Sequence, residues 1–253
     1  MKYKAIFTDI DGTLAPVGKN KPSKRVENAL KQVESKGIYV VLVTGRSLSV
    51  IEDFSYIGDK YVIFDNGAGI YDVPKKSVIW ESTLTTEISN EVLRFIRKFN
   101  APLIGIATTS GRLKNPQEIP LGIKVRKIRL DGVSASNADS IIKKIHEAFP
   151  KLSVTSASSG EGEDISNIYL TAADATKQHA ILQLTKIMNI LPEEIIGIGD
   201  HNNDYPLLMA CGLKVAMGNA VDDLKAIADY IAPSVYEDGV ADVIEKFILG
   251  HYL

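Results

Sequence analysis

The chain has 253 residues, of which 45% are hydrophobic and 24% charged, with a formal net charge of −2. That balance describes a globular protein with length for one large or two modest domains, and it gives no general electrostatic reason to bind nucleic acid or an acidic membrane surface. A single cysteine, Cys211, excludes an internal disulfide framework and suits a reducing cytoplasm, while neither a leader-like start nor a run of about 18 apolar residues is present.

Ala5, Ile6 and Phe7 predict a strand buried on both faces, which ends in Thr8-Asp9-Ile10-Asp11-Gly12-Thr13. In extended backbone Asp9 and Asp11 would share a side, and Gly12 would let the chain turn away. An Asp-Gly pair alone is an ordinary turn. Two carboxylates at the tip of a buried strand call for a cation or a hydrogen-bond network, and Mg²⁺ suits one or two carboxylates completed by water and phosphate. A helix is expected from Pro22-Ser23 through Val26, Ala29, Leu30 and Val33, with Gly37 as its stop. A second buried strand over 38–43 runs into Thr44-Gly45-Arg46 and a helix over 47–57. A third, over 61–64, runs into Asp65-Asn66-Gly67-Ala68-Gly69. Strand, polar loop and helix in alternation imply a parallel sheet with helices on both faces, and ligands beyond the carboxyl ends of its strands.

From about residue 84 the rhythm changes. Val92, Leu93, Phe95 and Ile96 mark a helix, a strand follows over 102–107, and a Gly/Lys/Asn/Pro-rich passage fills 110–122. The strand over 123–130 alternates with both faces mixed, which predicts a half-exposed or edge strand; its lysines and arginines from Lys124 to Arg129 form a solvated face or contact an anionic substrate. A helix over 138–149 and strands over 152–157 and 165–170 complete a small sheet of about four strands and two helices, covered on one side. The first rhythm resumes near Ala175: a helix through Ala180, Ile181, Leu184 and Ile187, then a strand over 195–198 breaking into Gly199-Asp200-His201-Asn202-Asn203-Asp204. A short helix over 206–211, a strand over 213–217, a helix over 220–228, a strand over 230–232 and a helix over 239–249 close the chain. The organisation is a core of residues 1–83 plus 173–253, interrupted by an insert over 84–172.

Asp200 and Asp204 form a second acid pair, on one face if their loop enters a helix, although either Asp200 or Asn203 also suits a helix cap. With Asp9 and Asp11 the cluster reaches four carboxylates and requires a cation. Lys177, at a helix start where a cation opposes the dipole, reads by default as a surface residue; beside four acids it gains a role as fixed positive partner of a phosphate. The Thr44 hydroxyl and Gly45 amide could hold a phosphoryl oxygen or simply form a strand-to-helix turn. Arg46 could touch substrate or pair on the surface. His179 and His201 lack a second His or Cys at ligand spacing, and Cys211 reads as packing. In the insert, Arg112, Lys114, Glu161, Glu163 and Asp164 are candidate substrate readers.

Taken in order, Asp9-x-Asp11-Gly12-Thr13, Thr44-Gly45-Arg46, Lys177 and Gly199-Asp200-x-x-Asn203-Asp204 resemble the four sequential motifs of the haloacid dehalogenase superfamily. The insert resembles the type IIB cap of its Cof-type, sucrose-phosphate and archaeal-type phosphoglycolate phosphatases. Asn66-Gly67-Ala68 and Met217-Gly218-Asn219-Ala220 resemble stretches usual in that branch. One departure is that Gln178 and His179 follow Lys177, where many relatives carry a glycine. The resemblance implies an α/β protein with a Rossmann-like parallel-sheet core and an inserted smaller α/β cap. It implies Mg²⁺-dependent hydrolysis of a small-molecule phosphate ester, phosphoglycolate or a sugar phosphate, with no nucleic-acid or membrane partner. Asp9 would be the nucleophile and Asp11 the general acid and base. The Asp9 carboxylate, the Asp11 backbone carbonyl and Asp200 would hold the metal, supported by Asp204. Thr44, Gly45, Lys177 and Asn203 would meet the phosphoryl group, and Arg46 and Asn66 the substrate. Two other readings share these residues. A sugar phosphomutase would require a bisphosphate activator, and a phospho-acceptor signalling module would form a stable phosphoprotein, against which the insert and an acid at Asp11 argue.

Overall fold

The computed structural model describes residues 2–48, 60–101, 103–158 and 165–250, so the helix expected over 47–57 lies almost wholly outside the described residues. The strands along the chain are β1 (Ala5–Thr8), β2 (Tyr39–Val43), β3 (Tyr61–Phe64), β4 (Gly69–Asp72), β5 (Ser77–Glu81), β6 (Leu103–Thr108), β7 (Gly111–Lys114), β8 (Val125–Ser134), β9 (Leu152–Ser158), β10 (Ile165–Ala172), β11 (Ile195–Gly199), β12 (Leu213–Ala216) and β13 (Tyr230–Ile231). The α-helices are α1 (Lys24–Ser35), α2 (Thr86–Ile96), α3 (Ala135–Ala148), α4 (Lys177–Met188), α5 (Tyr205–Met209), α6 (Asp222–Ala226) and α7 (Gly239–Ile244). Packing divides the chain into a larger unit, Met1–Trp80 with Lys177–Leu253, and a smaller one, Glu81–Thr176. No helix among the described residues is long and apolar enough to cross a membrane.

The larger unit is built on an eight-stranded sheet in the order β13-β12-β11-β1-β2-β3-β4-β5. Its central strand β1 is parallel to β2 on one side and β11 on the other, with Thr8 opposite Leu42 and Ile198. Ala5, Ile6 and Phe7 are fully buried, as a strand covered on both faces requires. α1 starts where Ser23 accepts the Val26 N–H, and it turns Val26, Ala29, Leu30 and Val33 inward. Gly37, at φ +75°, ends it. The antiparallel pair β3–β4 and the edge strand β5 extend the parallel part, and neither β4 nor β5 follows from the alternation of strand and helix. Local packing explains the reversal: a Cβ on Gly69 would lie 2.3 Å from the Phe64 ring. Only glycine lets β4 fold back over that side chain.

The smaller unit holds a five-stranded sheet, β7-β6-β8-β10-β9, whose hydrophobic core combines Ile106, Ile128, Leu130, Ile168 and Leu170 with Val92, Leu93 and Ile96 of α2 and Ile141 and Ile145 of α3. Two expectations are corrected here. The passage over 110–122 contains β7, paired antiparallel with β6. The strand expected to be half-exposed or at an edge is β8, which is half-buried but lies between β6 and β10. Its mixed pattern comes from a bulge: Ala107 pairs with Lys127 but Thr108 with Val125, so Arg126 is the extra residue and the buried face changes parity there. Val125 therefore joins Ile128 and Leu130 in the core instead of sharing a face with Lys127 and Arg129.

Candidate active site

The site lies at the carboxyl tips of β1, β2, β3 and β11 in the larger unit. The chain leaves β1 at Asp9, whose N–H still donates to the Ile198 carbonyl at 3.0 Å. A turn then closes over the Ile10 carbonyl, which accepts from Leu14 and Ala15, and Gly12 takes φ +84°. Asp200 follows β11 and accepts the Thr13 hydroxyl at 2.7 Å. Asp204 turns one oxygen back onto the N–H groups of Asp200 and His201, at 3.0 and 3.1 Å. Its other oxygen meets Lys177 Nζ at 2.5 Å, and the same ammonium reaches Asp9 Oδ1 at 2.6 Å.

Lys177 is 1% exposed, so the default reading of a surface lysine gives way to a buried ammonium bridging two carboxylates. Burial alone would depress its pKa, but Asp204 and Asp9 hold it well above the ordinary lysine value. One cation does not balance the acids. Asp9, Asp200 and Asp204 each place an oxygen within 4.8 Å of the others, all three buried. Burial, and then repulsion from Asp204, raise the Asp9 carboxyl well above the ordinary range. The same two causes push Asp200 up to about 7, although Thr13 and Lys177 act in the opposite direction. A buried, all-oxygen donor set with surplus negative charge fits a hard divalent cation of the Mg²⁺ type.

Asp11 does not join this group. Its side chain, 35% exposed, is held in a fork by Arg46, with Nε to Oδ2 at 2.8 Å and Nη2 to Oδ1 at 2.6 Å. The expected alternation fails because β1 ends at Thr8 and the turn from Ile10 re-aims the next carboxylate. Arg46 also donates to the Lys19 carbonyl and Asn20. Thr44 is buried, and its hydroxyl oxygen accepts the Arg46 N–H at 3.0 Å, which leaves the hydroxyl proton free to donate elsewhere. Asn66 sits in left-handed backbone, φ 59°, against that loop: its N–H donates to the Thr44 carbonyl, and a Cβ on Gly45 would lie 2.9 Å from its Oδ1. Asn203 Nδ2 donates to Asn66 Oδ1 at 3.3 Å, while Asn66 Nδ2 is buried without a partner. The structure thus brings Asp9, Asp200, Asp204 and Lys177 into one ion cluster, Thr44, Gly45, Asn66 and Asn203 into one set of loops, and Asp11 and Arg46 into one pair.

Asn219 is a residue that the reading of site chemistry missed. Its Nδ2 donates to the Gly12 carbonyl and its Oδ1 accepts the Val235 N–H, both at 2.8 Å, which braces the turn after Asp9. Its presence in the quoted Gly218-Asn219-Ala220 stretch was the available signal. Arg112 and Lys114 lie on β7 in the smaller unit, and Glu161, Glu163 and Asp164 lie outside the described residues. Cys211 is packed against Gly197, and burial pushes its thiol pKa far up, as for an inert core cysteine.

Gly12 is the tightest point of the turn, because a Cβ there would lie 2.3 Å from Asp200 Oδ2. Gly12→Ala displaces that carboxylate, and calorimetric titration with Mg²⁺ is expected to show affinity reduced by about tenfold or more. Unchanged affinity would mean that Asp200 does not bind the ion.

The family model for haloacid dehalogenase-like hydrolases matches residues 6–116 and 107–244. The Bacillus subtilis protein named 5-amino-6-(5-phospho-D-ribitylamino)uracil phosphatase YcsE is 30% identical over 251 residues, covering 97% of this chain and 96% of its own. A phosphoglycolate phosphatase of Staphylothermus marinus is 28% identical over 245 residues, 95% of each chain. The structure of a subclass IIB sugar phosphatase of the superfamily aligns with a TM-score of 0.79 at 23% identity, over 96% of this chain and 98% of that one, a likeness of fold. Motif order, a buried acid cluster around one lysine and a match along nearly the whole sequence agree: the chain belongs to the haloacid dehalogenase-like hydrolases.

Proposed function

We propose that this chain, a phosphatase of that family, hydrolyses a small phosphate monoester, phosphoglycolate or a sugar phosphate, with Mg²⁺ and through a phosphoryl group carried transiently on Asp9. The observation that carries this reading is the fixed position of the Asp9 carboxylate, with one oxygen on Lys177 and Asp200 and Asp204 beside it. The oxygen not engaged by Lys177 attacks phosphorus, and the P–O bond to the leaving alkoxide breaks. Asp11 leaves the Arg46 fork to give that alkoxide its proton, then takes a proton from the water that cleaves the aspartyl-phosphate and releases inorganic phosphate. Lys177 spends two of its three N–H donors on Asp9 and Asp204, and the third serves a phosphoryl oxygen. The Thr44 hydroxyl, the Gly45 amide and Asn203 complete the donors around the transferring group, with Arg46 against the substrate. The Asp9 and Asp200 carboxylates and the Asp11 backbone carbonyl would hold Mg²⁺, supported by Asp204, and the ion would neutralise charge between nucleophile and phosphate.

Asn66 Nδ2 supplies a further donor to the substrate. Asn66→Gly keeps the left-handed backbone and removes the donor; Asn66→Asp keeps the shape and replaces donor with acceptor. Both are expected to lower kcat/KM by about ten- to a hundredfold. Wild-type kinetics in the glycine variant would reduce Asn66 to a backbone role.

Phosphate release over a panel of phosphorylated metabolites tests the reading as a whole. Release is expected with Mg²⁺, lost on chelation with EDTA and restored by adding the ion back. Full activity after chelation removes the metal assignment, and no release from any monoester removes the phosphatase chemistry.

A further inference from the structure

We propose that Asp65 is a positioning residue for the loop Thr44-Gly45-Arg46, holding it through Ser47 in the shape that meets the phosphoryl group; this rests on the phosphatase reading above. Asp65 and that loop follow the neighbouring parallel strands β3 and β2, and backbone bonds join them. Thr44 N–H donates to the Ile63 carbonyl at 2.9 Å, and Asp65 N–H to the Arg46 carbonyl at 2.9 Å. Asn66 N–H donates to the Thr44 carbonyl at 3.0 Å. The Ser47 hydroxyl adds a side-chain bond to Asp65 Oδ1 at 2.5 Å, the length of a charge-assisted O–H···O⁻ hydrogen bond.

The place is a costly one for a carboxylate. Asp65 is 1% exposed, and its backbone is left-handed at φ 51°, followed by Asn66 at 59° and Gly67 at 97°. Glycine would take that backbone without a side chain, and asparagine would take it without a charge to bury. The turn alone does not call for an acid. Its contacts supply the reason, because one residue grips two consecutive ones. The N–H of Asp65 holds the Arg46 carbonyl, and its carboxylate holds the Ser47 side chain. One contact would leave the peptide between Arg46 and Ser47 a pivot; two contacts fix its orientation. On the other side of Arg46, its N–H donates to the Thr44 hydroxyl oxygen at 3.0 Å. Fixing that peptide thus fixes the Thr44 hydroxyl, the Gly45 amide and the root of the side chain whose guanidinium forks Asp11. Donors held in place before substrate arrives need no reordering as charge develops on the phosphoryl group.

The test is the double variant Ser47→Ala with Asp65→Gly, which leaves neither partner of the bond buried alone and keeps the left-handed backbone. Phosphate release with Mg²⁺ is read beside inhibition by orthovanadate, a mimic of the phosphoryl group in transfer. Both kcat/KM and orthovanadate affinity are expected to fall by about tenfold or more, while calorimetric Mg²⁺ affinity stays within about twofold of wild type. A merely structural role would leave inhibitor affinity unchanged, because a smaller folded fraction lowers the rate and not the inhibition constant. Asp65→Gly and Ser47→Ala alone are each expected to lose about as much as both together, since they break the same bond. Wild-type orthovanadate affinity in the double variant, additive losses from the single ones, or an equal loss of Mg²⁺ affinity overturns the proposal. Should one variant unfold, the others decide; unfolding of all three makes the pair a structural one and overturns the proposal as well. Absence of phosphate release by the wild-type protein removes the phosphatase reading, whereas wild-type release with an unaltered double variant removes this inference alone.

Discussion

Asp9→Asn abolishes turnover by at least about a thousandfold and leaves the fold intact. Asparagine has the shape of aspartate and keeps a carbonyl oxygen for Lys177, so the packing at the tip of β1 is preserved. It lacks the anionic oxygen that would bond to phosphorus, and no other carboxylate occupies that place. The substitution also removes one of three buried like charges, and with it the repulsion from Asp204 and Asp200 that helps to raise the Asp9 carboxyl. Thermal unfolding without Mg²⁺ should therefore occur at or above the wild-type temperature. Phosphate release and trapping of the phosphorylated protein by acid quench check both halves. Retained turnover would remove Asp9 as nucleophile, and an unfolded variant would make the loss of activity uninformative about chemistry.

Lys177→Met has the opposite balance of effects. It removes the one ammonium that Asp9 and Asp204 share and leaves two buried carboxylates facing a methyl group. Breaking a buried ion pair from one side costs about 3–5 kcal/mol, a large part of the stability of a domain. Denaturant melts in EDTA should show that loss, and turnover should vanish with it. The pH dependence follows from the direction of the carboxyl shifts. In the metal-free wild type, Asp200 titrates near 7 in the folded state against an ordinary value of 3.8. A carboxyl raised on folding favours the folded state fully below its unfolded value and loses that contribution as pH rises to the folded value. Metal-free stability should therefore decline between about pH 4 and 7, more steeply in Lys177→Met, and Mg²⁺ should reverse the decline. A flat profile in EDTA would mean that the cluster is better solvated than its burial indicates.

Much of the larger unit was legible because its strands announce themselves twice, by an unbroken apolar run and by polar residues immediately after it. The runs at Ala5, Val40 and Ile195 are buried strands, and the residues after them meet in the site. Spacing also carried the acids, since Asp200 and Asp204 stay together through the hydrogen bonds of one tight loop. What failed was alternation carried too far. Asp11 does not stand beside Asp9, because regular strand geometry had already ended. Arg126 shifts the parity of β8, and the mixed pattern that this bulge leaves in the sequence is the same one an edge strand would show. β4 and β7 are four residues each, too short for periodicity to detect. Lys177 was placed near the site by charge balance with the acids and by resemblance; nothing local in Ala175-Thr176-Lys177-Gln178 foretells an ammonium buried between two carboxylates.

Because β1 lies at the middle of its sheet, its two neighbours come from distant parts of the chain, residues 39–43 and 195–199. A nascent chain that has emerged only as far as residue 176 has every strand of the smaller unit, yet Asp9 still lacks Lys177, Asp200 and Asp204. During synthesis the inserted unit has its full set of strands before the unit that surrounds it. The ion cluster is thus among the last features assembled, because three of its four side chains follow residue 176.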